Sequence, residues 1–418
     1  MLLFLTRRVL MAEEPRHRGG GVGGRWQGGA MSVDAPAVLA ARLRAHRLRD
    51  PDLPDVAAAV RHLLAVQGQE LRPTLYGLDQ RLSPGRRGGP ALDVLADGRV
   101  LRTHVLRPTW HLVGSDDVRW LLELTGPRVG RVMASTEKSW GLGSPDAAIA
   151  VVVDLLAGGP RTRDDLAAAL VDQGVLAVDA PGIVLTHLLM HAELRRLVVS
   201  GPPAGGRHTY ARFDDRVPAG YGPLGSSFDR ESAVLELWRR YLPGRGYATV
   251  KDLAQWSGLT LTELRAGLAV LLDAGEATEV AGTDGLAGLT LVVAADGVGP
   301  AGADAARRAS TSARPAAGDA PVADLLCAYD EIVCSYGESR GVLADPRAPE
   351  PGRVGAFVHT VTIDGLRAAR WRWPARVPAT GDVDLDVQWQ REPTPADLAA
   401  VADAAADLTV HLRGRVAG

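Results

Sequence analysis

Two glutamines at the end of an apolar segment are the residues whose type and spacing best suit chemistry. Gln67 and Gln69 flank Gly68 in the sequence LLAVQGQELR, residues 63–72. A carboxamide can accept a hydrogen bond from one group while it donates to another, so the pair could hold a nucleophilic water. Glutamine itself is neither a strong base nor a nucleophile. The motif therefore predicts a site that positions water and does not deprotonate it.

The segment before the motif predicts how these side chains are placed. Residues 52–54 supply a capping residue and a first-turn proline, and apolar residues follow at helical spacing from 56 to 64. Positions two apart on a helix differ by roughly 200°, so Gln67 and Gln69 share a cavity only if the helix ends near Gly68. We expect a helix C-terminus there, whose free carbonyls suit a cation. The alternative is a capped helix end with two solvated or backbone-bonded glutamines.

A basic hairpin is predicted after the motif. Residues 100–113 read VLRTHVLRPTWHLV, an alternating pattern interrupted once at 107–108, which predicts two paired strands. If this hairpin is the wing of a DNA-binding unit, its polar side chains and those of the basic turn at 83–90 would contact phosphates, and Trp110 would offer a stacking face. The alternative is a solvated hairpin with Trp110 in the core. The predicted DNA-binding residues are Arg86, Arg87, Arg102, His104, Arg107, Thr109 and His111.

Two adjacent carboxylates, Asp330 and Glu331, follow the apolar run LLCAY. Paired carboxylates could do acid–base work, but neighbours on a strand face opposite ways. We therefore expect a structural ion pair between Asp330 and Arg340. The sequence contains no nucleophile elbow, P-loop, HExxH or dinucleotide-binding fingerprint. The tryptophans at 238, 256, 371, 373 and 389 are expected in cores.

The element order predicts an α+β protein of tandem winged-helix units followed by a C-terminal β-rich domain. Three helices before a basic hairpin give the order of a winged helix, and two later segments have a related order, each with a threonine-capped short helix at Thr162 or Thr249. Beyond residue 321 the hydrophobic period changes to two. The predicted boundaries are 1–30 for a disordered or mis-annotated extension, 31–144, 145–222 and 223–285 for three winged helices, and 286–418 for a linker and the β-rich domain.

Composition limits the classes of function. The chain has 418 residues, of which 46% are hydrophobic and 23% charged, and its net charge is −2. Nucleic-acid binding would therefore need a local basic surface. Cys327 and Cys334 lack metal-site spacing and predict reduced, packed thiols of a cytoplasmic protein. No run approaches the roughly 20 apolar residues of a membrane-spanning helix, and we expect no membrane association and no metal.

Five segments occur in an order that resembles the AlkZ-like winged-helix DNA glycosylases. They are LAVQGQE, VLRTHVLRPTWHLV, HTYARFDDRVP, DLAQWSGL and LLCAYDEIVCSYGESR, and the resemblance covers the chain from about residue 32. Gln67 and Gln69 match the family's Gln-x-Gln signature. Gly68 stands where the family generally has an apolar residue, so it cannot help to wedge a lesion.

The resemblance implies excision of N-alkylated purines or unhooking of bulky alkylation crosslinks, in DNA repair or in self-resistance to a DNA-alkylating natural product. The partner would be double-stranded DNA with alkylated bases, without a cofactor. Gln67 and Gln69 would place a water beneath C1′ of the damaged nucleotide, and a helix-end dipole would favour the positive charge that develops on the sugar. We expect a monofunctional enzyme, since only Lys138 and Lys251 could supply a lysine.

Two other classes remain as alternatives. A winged-helix transcription regulator would prefer one DNA sequence with palindromic half-sites, whereas a glycosylase would respond to lesions. A scaffold that sequesters a small molecule would lack salt-dependent DNA binding. Tandem winged helices could form one concave DNA surface within a single chain, so we expect a monomer.

Overall fold

The structure, a computed structural model, describes residues 31–89, 91–140, 144–298, 320–349 and 357–414. Within these ranges lie thirteen α-helices and thirteen β-strands, and the strands form four small sheets. The arrangement confirms the predicted α+β class, with winged helices followed by a β-rich domain. The extension predicted at 1–30 and most of the predicted linker, which spans 294–321, lie outside the described residues. No helix within the described ranges is long and apolar enough to cross a membrane.

The first winged helix follows a short N-terminal segment. Asp55 caps its first helix by accepting a hydrogen bond from the Ala58 backbone N–H at 2.7 Å, so this helix begins at Val56 and not next to Asp52. The N-terminal segment contains β1 (Ser32–Val33) and α1 (Ala35–Ala45). The unit itself contains α2 (Val56–His62), β2 (Ala65–Gln67), α3 (Leu71–Asp79), α4 (Asp93–Ala96), β3 (Val100–His104) and β4 (Trp110–Gly114).

The predicted helix end near Gly68 is wrong. Helix α2 ends at His62, and Leu64 turns the chain with a φ of 62° into strand β2, which pairs with β4. An apolar run this short does not distinguish a helix from a strand, and a leucine at positive φ leaves no mark in the sequence. The glutamine pair therefore follows a strand, and the chain turns at once into α3.

The second winged helix repeats this order after a long helix, α5 (Ser115–Trp140). Thr162 caps its second helix in a reciprocal capping box with Asp165, as the sequence indicated. Its short first strand pairs with the second strand of the wing. The elements are α6 (Asp146–Leu156), β5 (Arg161–Thr162), α7 (Arg163–Asp172), α8 (Gly182–Leu194), β6 (Val198–Ser200) and β7 (Thr209–Arg212).

The third winged helix has a wing of two strands, and the second strand lies beyond residue 285, where the sequence analysis ended this unit. Its elements are α9 (Arg230–Arg245), α10 (Val250–Ser257), α11 (Leu261–Asp273), β8 (Ala277–Gly282) and β9 (Thr290–Ala294). Strand β1 pairs in parallel with β8, so the N-terminal segment completes the sheet of this third unit. The predicted domain boundaries stay a prediction.

The C-terminal domain is an antiparallel four-stranded sheet covered by a long helix. The strands lie in chain order, and the tryptophans expected in cores are buried at 238, 256 and 371 and partly buried at 373 and 389. Cys327 and Cys334 are free, buried thiols. The elements are β10 (Ala323–Leu326), α12 (Glu331–Cys334), β11 (Thr360–Ile363), β12 (Leu366–Trp371), β13 (Val387–Trp389) and α13 (Pro395–Gly414).

The segment between β10 and α12 packs against the first winged helix. Asp330 caps α12 and forms a buried ion pair with Arg81 of the first unit, with Oδ1 and Nη2 2.7 Å apart. The expected ion pair with Arg340 is wrong, since that guanidinium donates instead to the Val333 carbonyl at 2.9 Å. The two carboxylates at 330 and 331 begin a helix and do not alternate on a strand, which is why the expectation failed.

The space around Gly77 shows how closely this segment approaches helix α3, and Gly130 on α5 serves as a control. A Cβ at Gly77 would lie 2.8 Å from Cys327 Sγ and 3.2 Å from Asp330 Oδ2, whereas a Cβ at Gly130 on α5 would meet nothing within 4 Å. We expect Gly77→Ala to lower the free energy of unfolding in urea by about 1–3 kcal/mol, because both neighbours must move. Gly130→Ala should raise it by about 0.5–1 kcal/mol through helix propensity alone. Equal shifts in both variants would contradict the close approach.

Candidate active site

The Gln67–Gly68–Gln69 motif lies where strand β2 leaves its partner β4. Gln67 is paired with His111, and the Gly68 N–H donates to the Trp110 carbonyl at 2.7 Å. Gln67 is the last residue of β2, and Gln69 lies in the bend between β2 and α3. The nearest helix end along the chain is the N-terminus of α3, which starts at Leu71. The motif itself is therefore not a helix C-terminus, as the sequence analysis expected it to be.

Gln67 is held at both ends. Its backbone N–H donates to Glu331 Oε1 at 2.8 Å, and its side-chain Oε1 accepts from Arg107 Nη2 at 2.9 Å. Since a guanidinium can only donate, this contact fixes which end of the carboxamide is the oxygen. The residue is 2% exposed, and its Nε2 is buried without a hydrogen-bond partner among the described residues. Its two N–H groups are therefore unused.

The Gln69 side chain accepts a hydrogen bond from a backbone N–H of strand β4. Its side-chain Oε1 accepts from the Trp110 backbone N–H at 3.3 Å, while the neighbouring Gly68 carbonyl accepts from Arg102 Nε at 3.1 Å. The Arg102 guanidinium also lies 4.6 Å from the centre of the Trp110 ring. Burial lowers the pKa of Arg102 to about 10, so it remains a cation at neutral pH. Gln69 is half-buried, and of the two glutamines it is the more accessible to a ligand.

Arg107 and His111 form the inner wall of the site. The His111 Nδ1–H donates to the Thr109 carbonyl at 2.8 Å, so its Nε2 carries the lone pair that accepts from Arg107 Nη2 at 3.2 Å. Burial, and then the charge of Arg107, hold the pKa of His111 well below its ordinary value. Arg107 also donates to the Trp256 carbonyl at the end of α10. The hairpin turn is thereby tied to the third winged helix.

Glu331 was not predicted to belong to the site, yet its carboxylate accepts hydrogen bonds from residues in three parts of the chain. In addition to the Gln67 N–H on Oε1, its Oε2 accepts from Trp256 Nε1 at 2.8 Å, from Ser335 Oγ at 2.7 Å and from Arg245 Nη2 at 3.2 Å. Glu331 is 1% exposed. The adjacent carboxylates Asp330 and Glu331 were a signal in the sequence, but nothing local showed that Arg245 and Gln67 bind Glu331 from 86 and 264 residues away.

The predicted DNA-binding residues divide into two groups. Arg86 is exposed, and Arg102 is half-buried beside the motif; the side chain of Arg87 donates to Asp407 at 2.9 Å. The other predicted residues are buried, so their side chains do not lie on the surface of the hairpin, and direct contact with a phosphate stays a prediction for them. The buried residues are His104, Arg107, Thr109 and His111.

Trp110 belongs to an aromatic cluster between the first two winged helices. Its ring centre lies 4.0 Å from that of His104 and 4.9 Å from that of His208, which sits next to wing strand β7. The His104 Nδ1 is 2.5 Å from Glu193 Oε2 on α8. Burial, with the charge of Arg102, lowers the pKa of His208 to about 3, so this ring is neutral. The Trp110 ring is packed within this cluster and half-buried, and its stacking on a base stays a prediction.

The site is built from neutral amides, guanidinium groups and one buried carboxylate. Among the described residues, no group of three His, Cys, Asp or Glu side chains is placed to hold a metal ion. Such a site can orient a small polar molecule with fixed donors. It does not offer an exposed strong base.

Comparisons with known proteins agree with this fold and motif. The model of the AlkZ-like DNA glycosylase family matches residues 60–410, which is most of the chain. The chain therefore belongs to this family, as the five sequence segments indicated, and it is a DNA glycosylase. Among solved structures, DNA glycosylase AlkZ of Streptomyces sahachiroi is similar with a TM-score of 0.66 and 19% identity, over 91% of this chain and 97% of that one. No curated protein sequence matches.

The buried neutral His111 predicts a pH dependence of stability. Its folded-state pKa lies below the unfolded value of about 6.5, so stability is fully present above that pH. As the pH falls below about 6.5, His111 becomes protonated in the unfolded chain and stays neutral in the folded chain. The free energy of unfolding therefore decreases by about 1 kcal/mol per pH unit. We expect His111→Gln to reduce the slope of unfolding free energy between pH 6 and 4.5 by one proton, measured in urea at several pH values. Identical slopes in both proteins would show that His111 is not held neutral.

Proposed function

We propose that this enzyme is a monofunctional glycosylase that hydrolyses the N-glycosidic bond of N-alkylated purines and of bulky alkylation adducts or crosslinks in double-stranded DNA. The observation that carries the proposal is the pair Gln67 and Gln69 at the end of strand β2, in a chain of the AlkZ-like family, with the Gln67 amide nitrogen buried and without a partner among the described residues. Buried polar groups are nearly always paired, so an unused donor at this position suits a ligand that arrives with the substrate. The enzyme would act as a cytoplasmic monomer, in repair or in self-resistance.

The proposed reaction suits neutral amides. A purine alkylated at N3 or N7 already carries a positive charge, so the C1′–N bond breaks with its electron pair moving onto the base and neutralising it. A water oxygen forms the new bond to C1′ and releases its proton to solvent, leaving an abasic site. Gln67 and Gln69 would hold that water, which contributes through position and not through basicity. No Schiff base with lysine is involved.

In this proposal Gly68 affects the packing of the protein and does not contact the substrate through a side chain. A Cβ at this position would lie 3.3 Å from Leu112 Cγ, so a side chain here would first press on the adjacent strand. The glycine therefore leaves strand β4 undisturbed. Its effect is on the packing of the motif against strand β4. A bulky adduct would meet no side chain at position 68.

The test is base excision from a duplex that carries N7-methylguanine, followed by alkali and quantification of strand breaks. The full-length chain should produce breaks, and the Gln67→Ala, Gln69→Ala double variant should lose at least about 100-fold in rate, the size expected when positioned polar groups are removed. Gln173→Ala is the matched control, because this glutamine is exposed at the C-cap of α7. It should excise at the normal rate.

Three outcomes of this assay would change the proposal. Full activity in the double variant would remove the glutamines from the reaction. Lesion-dependent binding without cleavage would mean that the methyl adduct is the wrong substrate, and a bulkier adduct would replace it. Binding that prefers one DNA sequence and ignores the lesion would instead support a regulator.

Arg86 is proposed to contact a DNA phosphate. It is exposed in the turn Pro84–Arg86 and forms no ion pair among the described residues. We expect Arg86→Ala to weaken binding to all duplexes alike and to reduce the slope of log K against log salt by about 1, as loss of one phosphate contact does. The excision rate at saturating protein should not change. Fluorescence anisotropy at several salt concentrations measures this, and an unaltered slope would place DNA elsewhere.

A further inference from the structure

Gln67 lies in a closed ring of hydrogen bonds, which determines which of its atoms can act. Its Oε1 is bound by Arg107, Arg107 is bound to the Trp256 carbonyl, and the Trp256 indole is bound to Glu331. The Glu331 carboxylate in turn accepts a hydrogen bond from the Gln67 backbone N–H, which closes the ring. The ring joins the first winged helix, the third and the C-terminal domain, so the carboxamide cannot rotate without breaking a buried contact.

Arg107 is an unusual buried cation. It is 6% exposed, and the acceptors bound to it are all neutral: the Gln67 amide oxygen, the His111 imidazole and the Trp256 carbonyl. Within the described part of the chain it forms no ion pair. Burial lowers its pKa, although an arginine keeps its proton. A desolvated charge of this kind is costly, and the opposite charge of the nearby Glu331 carboxylate offsets only part of that cost.

A cation on the oxygen of a carboxamide changes the other end of the group. It draws electron density from nitrogen through the conjugated amide, which makes the two N–H bonds stronger donors, as in any chain of polarised hydrogen bonds. Within the described ranges these two N–H groups have no hydrogen-bond partner. Two more unpartnered buried atoms, Arg107 Nε and Thr109 Oγ1, lie in the same hairpin turn.

We propose that Arg107 is a positioning residue for base excision, which fixes the Gln67 carboxamide so that its polarised Nε2 donates to the oxygen of the attacking water. This inference rests on the proposed function. The water keeps its second lone pair for C1′, and the donor supplies orientation. In this arrangement Gln67 is a hydrogen-bond donor in the reaction and not a base.

The donor role is tested by Gln67→Glu. One carboxylate oxygen would take the place of Oε1 and form an ion pair with Arg107, and urea unfolding checks that the variant is folded under the conditions of the assay. The N–H donors would be lost, and we expect the single-turnover excision rate on N7-methylguanine duplex to fall at least about 10-fold. A variant that excises at the wild-type rate or faster would overturn the donor role.

The positioning role is tested by a double-mutant cycle of Arg107→Lys and Gln67→Ala. If Arg107 acts through Gln67, the lysine should slow excision about 10-fold in the wild type and not at all in the Gln67→Ala background, with DNA affinity unchanged in both. Arg42→Lys is the matched control. Arg42 is likewise a buried arginine, and it donates to the Tyr247 and Ser339 carbonyls, which are not part of the glutamine motif. It should lower stability without slowing the folded enzyme.

The outcomes separate this inference from the proposed function. If the wild-type enzyme releases no base from any alkylated duplex, the proposed function fails and Arg107 has no reaction to serve. If the wild type is active but Arg107→Lys slows both backgrounds equally, only the positioning role is overturned. If Arg107→Lys does not fold, the Gln67→Glu result still decides the donor role, because that variant keeps Arg107.

Discussion

The buried carboxylate of Glu331 is the group on which the rest of the site depends. A negative charge inside a protein persists only when several donors satisfy it, and here the donors come from three parts of the chain: Gln67, Trp256 with Arg245, and Ser335. Removal of any one would leave a charge partly unpaired. The carboxylate therefore requires the first winged helix, the third winged helix and the C-terminal domain to be assembled together, and Gln67 is placed correctly only in that assembly.

This dependence explains why so small a motif can be part of an enzyme. A short strand followed by a glycine has little rigidity of its own, and a free glutamine side chain has many rotamers. The structure removes that freedom with contacts made by other elements, from Arg107 on the hairpin turn to Glu331 at the start of α12. Precision at the glutamines is therefore a property of the whole fold, and the proposed chemistry needs position more than reactivity.

The sequence predicted most of the architecture, because local patterns determine local structure. The threonine caps at Thr162 and Thr249 and the hairpin at 100–113 were recognised from a few adjacent residues each. The failures have one cause. Strand β2 exists because β4 offers it an edge, and Asp330 pairs with Arg81 because two domains meet, neither of which is encoded nearby in the chain. The glutamine pair could be found from sequence, but its strand geometry and its partners could not.

The burial of Arg107, Thr109 and His111 gives the hairpin turn a part in the interior of the protein. Among the described residues five arginines are buried, namely Arg42, Arg81, Arg107, Arg245 and Arg367. Arg107 and Arg245 each donate to acceptors on separate elements, which a planar fork of five donors does better than any other side chain. Both guanidinium groups join the first winged helix to the third, and Arg245 also binds Glu331 of the C-terminal domain. The charge that the hairpin carries at Arg107 therefore stabilises the assembly of these units around Gln67.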